Sequence, residues 1–362
     1  MLDNIIKTCN DGNLNIIVKT TKRCNIRPAC KYCYDFNDSD HLRDMSLSTL
    51  DNLMRVSLGN NQFQRVTFTW HGGEPLLLGI PFYERALQLQ RKYPNVTIQN
   101  RIQTNAVALN ETWISFLKEN DFTLESSFDA FDNDFARGRT SEVLSNLIQC
   151  KVLGFSPINI MFITTKHNIH RLREAYDFFN VLGLNFNPSP FLSLGNGEKA
   201  SELKISATEY GDAIIDLIEY IIDSPQKKVR VRFIDAVINA VFLNQQSLCS
   251  HQFCTYSFIT CNNNGDLFHC AKIENQDWIL GNVNKLQQIK TVFETPKYKR
   301  LAQEVTDRLI NCSVENDGSP CNVLPYCKGG CSSNALVSGG FSKRDFYCET
   351  YKKVFNHILQ IK

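Results

Sequence analysis

No apolar run in this 362-residue chain approaches the roughly 20 residues that cross a bilayer. Charge bias is also missing: 39 basic residues stand against 37 acidic ones, for a net charge of +2. That balance gives no electrostatic case for nucleic acid or an anionic membrane. The first residues, MLDNIIKTCNDGN, lack the charged-then-apolar order of a secretory signal. No internal repeat or low-complexity segment is present. These absences lead to the expectation of a cytoplasmic protein, long enough for one barrel plus an appended domain.

Cysteine is what the chain has in quantity. Eleven of its fourteen cysteines fall into two spaced groups. Cys24, Cys30 and Cys33 lie together in TTKRCNIRPACKYCYDF, and the second group runs from Cys249 to Cys348 and includes CNVLPYCKGGCSS. A disulfide framework suits small secreted domains rather than a long chain of this kind. Three thiolates can hold a four-iron cluster and leave one iron open, whereas four close it off. Zinc would require a fourth ligand near the triplet, which His41 could supply. Taken alone, the triplet does not choose between the two metals.

The rest of the pattern alternates. Strand-like runs at 14–20, 65–70, 96–103, 122–128, 158–164 and 184–188 are separated by helical spacing at 46–58, 82–93, 113–120, 141–153 and 172–182. Ser46 or Ser48 is the expected N-cap of the first helix. About six βα units favour an α/β fold built as a partial (β/α)6 TIM-like barrel, although alternation alone also fits a doubly wound sheet. Two further periodic helices span 210–222 and 234–243. The character changes after Leu248, so the expected domains are 1–244 and 245–362.

Polar motifs sit where the strands end. Trp70-His71-Gly72-Gly73-Glu74-Pro75 closes the second strand, with glycines that allow close backbone approach and a carboxylate that can accept from an ammonium. With the triplet one strand earlier, the pattern resembles the radical S-adenosylmethionine enzymes. That resemblance implies that Cys24, Cys30 and Cys33 hold a four-iron cluster whose open iron binds S-adenosylmethionine. One electron would cleave the sulfonium and release a 5′-deoxyadenosyl radical that abstracts hydrogen from the substrate. It further assigns cofactor contacts to Tyr34, Gly72, Gly73, Glu74, Gln103, Asn105 (in QTN), Ser127 (in SFD), Arg137 or Arg139 with Arg139 preferred, and Thr164 (in ITTK). The C-x5-C-x2-C spacing is two residues longer than the family's C-x3-C-x2-C.

The second cysteine group resembles the SPASM extension of these enzymes. Gly265-x4-Cys270, with Cys249 and Cys254 before it, and Cys321-x5-Cys327-x3-Cys331, with Cys348 after it, carry that likeness. The resemblance implies two auxiliary four-iron clusters, one on Cys249, Cys254, Cys270 and Cys331 and one on Cys312, Cys321, Cys327 and Cys348. Two Cys₄ zinc sites are the competing reading. Cys9 and Cys150 are expected to be inert buried thiols, and Cys261 stays unassigned.

Relatives of this type act mostly on peptides. The leading expectation is an oxidative crosslink (cyclophane, other carbon–carbon, thioether or ether) in a ribosomally made precursor peptide. Leader recognition would then fall to the barrel–SPASM surface or to a separate protein. The alternative is anaerobic sulfatase maturation, whose members carry an aspartate directly after the G-x4-C cysteine, where this chain has Ala271. A zinc-bound peptide-binding scaffold is the non-enzyme alternative. Asp129, Asp266 and Glu274 are candidates for a substrate base, with surface placement the expectation for each. His269 and Tyr326 are expected to be packing residues. The implied cofactors are three [4Fe-4S] clusters and S-adenosylmethionine, with flavodoxin or ferredoxin as electron donor.

Overall fold

A computed structural model describes residues 12–35, 44–224, 226, 229–252, 254–315 and 317–361. Cys9 and His41 lie outside the described residues. Six strands follow one another along one sheet: β1 (Asn13–Lys19), β2 (Arg65–His71), β3 (Thr97–Thr104), β4 (Thr123–Ser127), β5 (Ile158–Thr164) and β6 (Asn185–Pro190). Each pairs in parallel with the next. A doubly wound sheet would reverse its strand order at a switch point. Here the order β6-β5-β4-β3-β2-β1 runs unbroken, which is the arc of a partial barrel. On its free side β1 also pairs in parallel with β7 (Phe258–Cys261), and antiparallel β8 (Asp266–Phe268) and β9 (Gly281–Asn282) extend the sheet.

Five helices alternate with these strands: α1 (Leu47–Leu58), α2 (Ile80–Gln90), α3 (Glu111–Glu119), α4 (Thr140–Val152) and α5 (Leu172–Leu182). Their starts and stops follow local chemistry. The Ser46 hydroxyl accepts from the Thr49 N–H and caps α1. Gly183 ends α5 in the left-handed region at φ 65°, where an L side chain is disfavoured. Strand alternation sets the two faces of the sheet. In β5, Ile158, Ile160 and Phe162 are buried on the face packed against the helices, while Asn159, Met161 and Ile163 occupy the other face. That inner face lines a polar cavity with Arg101, Glu125, Asn159 and Asn187. The core between sheet and helices centres on Trp70, whose ring meets Tyr83 edge-on and whose Nε1–H donates to Asn100 Oδ1 at 3.0 Å. Full burial of each such large side chain contributes about 1.5–3 kcal/mol.

Beyond the barrel the sequence pattern suggested only turns and cysteines, after helices here seen as α6 (Ala207–Asp223) and α7 (Arg232–Leu243). The structure adds α8 (Pro296–Cys312) and α9 (Cys348–Ile361). The C-terminal part is fastened to the barrel: Tyr347 Oη donates to the Phe191 carbonyl and Thr350 Oγ1 to the Ala207 carbonyl, both at 2.6 Å. Among the described residues no helix is long and apolar enough to cross a membrane.

Candidate active site

The triplet loop follows β1 directly and rests on the turn that ends β2. Gly73 N–H donates to the Thr21 carbonyl at 2.8 Å, and Glu74 N–H to the Arg23 carbonyl at 2.7 Å. A Cβ at Gly72 would meet the Thr21 carbonyl oxygen at 2.5 Å, and one at Gly73 would meet the Arg23 carbonyl oxygen at 2.1 Å. The glycine pair is therefore required by the triplet loop itself, which uses the close approach that glycine permits.

Glu74 is fully buried. Its Oε1 accepts from Leu76 N–H at 3.0 Å and Thr104 Oγ1–H at 2.7 Å, and its Oε2 accepts from Asn105 N–H at 2.7 Å. The carboxylate thus ties the end of β2 to the end of β3 and spends three of its roughly four acceptor positions on the protein. Burial pushes its pKa up to about 7, against the pull of those donors. A buried carboxyl with one acceptor position left is suited to a cation. Asn105 Nδ2–H reaches Asn25 Oδ1 at 2.7 Å and the Cys24 sulfur at 3.6 Å, which fixes the first cysteine of the triplet.

Several other predicted contacts sit differently. Arg139 is exposed, holds a left-handed φ of 64° and pairs with Glu142 on the surface. Arg137 is the arginine that faces the triplet: it donates to Tyr32 Oη at 3.3 Å, and its charge acts on Cys24, Cys33, Glu74 and Asp129. The short helix at 133–136 turns the chain before Arg139, and this reversal decides which arginine points inward. Thr164 lies on the helix-facing side of β5, while Ile163 packs, as Cys24 and Cys33 do, against the small buried cluster that includes Cys30. Gln103 and Ser127 are half-buried at the ends of β3 and β4.

The base candidates also move. Asp129 is buried rather than on the surface: it accepts from Tyr32 Oη–H and, at 2.9 Å, from Ile163 N–H. Asp266 is held in a turn by Asn264 and Asn282. Glu274 is also not a free surface group. It pairs with Lys19 and, at 2.5 Å, with Lys22, and these two lysines pair with Asp35 at 2.6 and 3.3 Å. Lys19 is only 1 % exposed at the end of β1. This four-charge group joins the triplet loop to the Cys270 loop across some 250 residues of sequence. Sequence reasoning missed Lys19, Lys22 and Asp35, and the one available signal was a lysine ending an otherwise apolar strand. Asp35 Oδ2 has no hydrogen-bond partner among the described residues. Beside it, Tyr34 Oη lies 3.1 Å from His71 Nε2. His71 Nδ1 accepts from Gly72 N–H, so Nε2 carries the proton and donates to the tyrosine oxygen. An open cleft lined by Lys22, Tyr34, Asp35, Asn196, Ala271 and Glu274 lies between the two loops.

The remaining cysteines form two sets. Cys249, Cys254, Cys270 and Cys331 are near enough that each suppresses ionisation of others, and burial lifts the Cys270 thiol to about 11. Cys312, Cys321, Cys327 and Cys348 line one cavity, and burial lifts Cys327 and Cys348 to about 12. Every described cysteine is a free thiol. Among the described residues no three His, Cys, Asp or Glu side chains gather at the spacing of a single metal ion. Free thiols in open sets of four, from exposed Cys249 to buried Cys312 and Cys327, suit an inorganic cluster, which binds them as thiolates. Cys150 and Cys261 are fully buried in α4 and β7. Tyr326 stacks on Phe355 at 5.6 Å between ring centres. His269 is buried with Nε2 4.0 Å from the Cys254 sulfur.

An arc of six parallel strands with a cysteine triplet after the first is the arrangement that the resemblance to the radical S-adenosylmethionine enzymes implies. Residues 18–179 match the Radical SAM superfamily, so the chain carries a radical SAM domain, and it is an enzyme. A cysteine-type anaerobic sulfatase-maturating enzyme of Clostridium perfringens is 24 % identical over 379 residues, 96 % of each chain. In fold, the chain is similar to native anSMEcpe with bound AdoMet and Cp18Cys peptide (TM-score 0.79, 22 % identity, 96 % of this chain and 98 % of that one). It is also similar to Streptococcus suis SuiB bound to the precursor peptide SuiA (TM-score 0.67, 15 % identity, 95 % and 78 %).

Proposed function

We propose that this chain is a radical S-adenosylmethionine peptide maturase with a barrel over 1–244 and a SPASM domain over 245–362. The observation that carries this reading is the cleft between the triplet loop and the Cys270 loop, where a substrate would face both cysteine regions. In this reading Cys24, Cys30 and Cys33 hold the four-iron cluster that binds S-adenosylmethionine. The auxiliary clusters sit on Cys249, Cys254, Cys270 and Cys331 and on Cys312, Cys321, Cys327 and Cys348. When bound, the first cluster and S-adenosylmethionine supply one-electron cleavage and hydrogen abstraction.

The protein's own residues position these groups. Gly72 and Gly73 seat the triplet loop, Asn105 holds Cys24, and Glu74 keeps an acceptor position for the methionine ammonium. Arg137 supplies positive charge beside the triplet. Lys19 and Lys22 hold Asp35 and Glu274 against the cleft. A flavodoxin or ferredoxin would deliver the electron.

The leading reading of the product is an oxidative crosslink in a ribosomally made peptide. Ala271, standing where sulfatase-maturating enzymes carry an aspartate, supports it. Formylglycine formation is the second reading, favoured by the full-length likeness to such an enzyme. The test is mass spectrometry of candidate peptides after incubation with reconstituted protein, reductant and S-adenosylmethionine. The peptides are a cysteine-containing sulfatase peptide and any short peptide encoded beside this gene. Loss of two hydrogens with a new ring supports the crosslink. Loss of sulfur with a new aldehyde supports the second reading. Release of 5′-deoxyadenosine without either change, across both peptides, refutes both.

A further inference from the structure

Arg308 is a buried cation that the cofactor and substrate roles above leave unused. It lies in α8, one turn before Cys312, and is 2 % exposed. Its Nη1–H donates to the Phe341 carbonyl at 2.9 Å and its Nη2–H to Ser332 Oγ, next to Cys331, at 3.2 Å. Its Nε–H has no partner, and no carboxylate lies within ion-pair distance among the described residues. Asp345 feels its charge from further away, but that carboxylate is already engaged by Cys331 N–H, Tyr347 N–H and Asn334 Nδ2–H. An unpaired buried guanidinium is costly. It is tolerated where negative charge arrives from elsewhere, and a four-iron cluster on four thiolates carries net negative charge. Arg308 contacts the loop of one cysteine set through Ser332 and precedes a ligand of the other on its own helix.

We propose that Arg308 sets the reduction potential of both auxiliary sites: its fixed positive charge, held between the two cysteine sets, stabilises an electron added to either. The inference rests on the auxiliary-cluster reading above. Were the auxiliary clusters bound, each could accept one electron from the substrate radical, which would be oxidised by one electron. Arg308 keeps that acceptor within reach and takes no part in bond-making, so it is a positioning residue.

The test is a redox titration followed by electron paramagnetic resonance on full-length, anaerobically reconstituted protein. A background of Cys24→Ala, Cys30→Ala and Cys33→Ala leaves only the auxiliary signals. Arg308→Gln removes the charge and ends short of Phe341 and Ser332, and Arg308→Lys keeps the charge and loses the fork. In Arg308→Gln both auxiliary couples should move to more negative potential by about a tenfold change in equilibrium, about 59 mV for one electron. Arg308→Lys should stay near the parent value. Iron bound at the parent level with unchanged potentials in Arg308→Gln would overturn the proposal. So would equal shifts in both variants, because those report repacking rather than charge. A parent that binds no iron in this background refutes the auxiliary-cluster reading, and the proposal with it.

Discussion

Alanine at Gly73 perturbs the site at its tightest point. The new Cβ would lie 2.1 Å from the Arg23 carbonyl oxygen, 2.6 Å from its carbon and 2.9 Å from the Lys22 carbonyl oxygen. Cβ atoms do not approach neighbours within 3.0 Å, so the gap must open by at least 0.9 Å, the difference between 3.0 and 2.1. The obstacle is backbone and cannot swing aside as a side-chain tip would. Opening the gap pulls on the Gly73 N–H to Thr21 bond at 2.8 Å and the Glu74 N–H to Arg23 bond at 2.7 Å. Two hydrogen bonds at about 1 kcal/mol each, plus about 1–3 kcal/mol for overpacking, give about 3–5 kcal/mol against the native loop position. The residue after Arg23 is Cys24, so the penalty falls on the triplet and leaves the distant cysteine sets alone. The assay is iron per chain after anaerobic reconstitution, with 5′-deoxyadenosine release measured in parallel. Gly73→Ala should keep about eight of about twelve irons and release no 5′-deoxyadenosine. Full iron with cofactor cleavage at the parent rate would refute the reasoning.

Other perturbations follow from the same geometry. Lys19→Met leaves Asp35 and Glu274 with Lys22 alone and should cost about 3–5 kcal/mol in denaturant unfolding at pH 7. Lys19 and Lys22 hold Asp35 below the usual carboxylate range against the opposing effect of burial. This stabilisation is present above about pH 4 and is lost on acidification, so the cost of Lys19→Met should shrink as pH falls below about 4. Glu74 behaves in the opposite sense. Its pKa is raised from 4.5 to about 7, so its contribution is complete below about pH 4.5 and lost as pH rises through about 7. Without S-adenosylmethionine, the stability difference between parent and Glu74→Gln should therefore move by about 3 kcal/mol toward the variant between about pH 4 and 8 (about 2.5 pH units at about 1.36 kcal/mol each). A flat difference across that range would refute the assignment. Asp35→Asn should retain iron and cofactor cleavage while lowering peptide conversion at least about tenfold, read by mass spectrometry; unchanged conversion would remove Asp35 from the cleft's chemistry.

Strands such as β1, β2 and β5 were legible because they are rich in apolar residues and end in polar ones, as β2 does at HGGEP, and helix starts such as Ser46 carry their own caps. The cysteine triplet and the motif order led to the class of enzyme. Contacts between distant segments could not be read in the same way. Lys19, Lys22, Asp35 and Glu274 meet only because β7 docks beside β1 and brings the Cys270 loop to the barrel mouth. Arg137 and Arg139 are two residues apart, and a short helix followed by a left-handed turn selects between them. The glycine pair was visible as a motif, but its partner proved to be the triplet backbone. α8 and α9, each with one terminal cysteine and no glycine, went unread because the cysteine motifs around them drew the reading toward turns.

The most direct test of the central claim is iron content together with S-adenosylmethionine turnover on anaerobically reconstituted, dithionite-reduced protein. About twelve irons per chain and release of 5′-deoxyadenosine are the predicted result. Bound zinc without cofactor cleavage would contradict it.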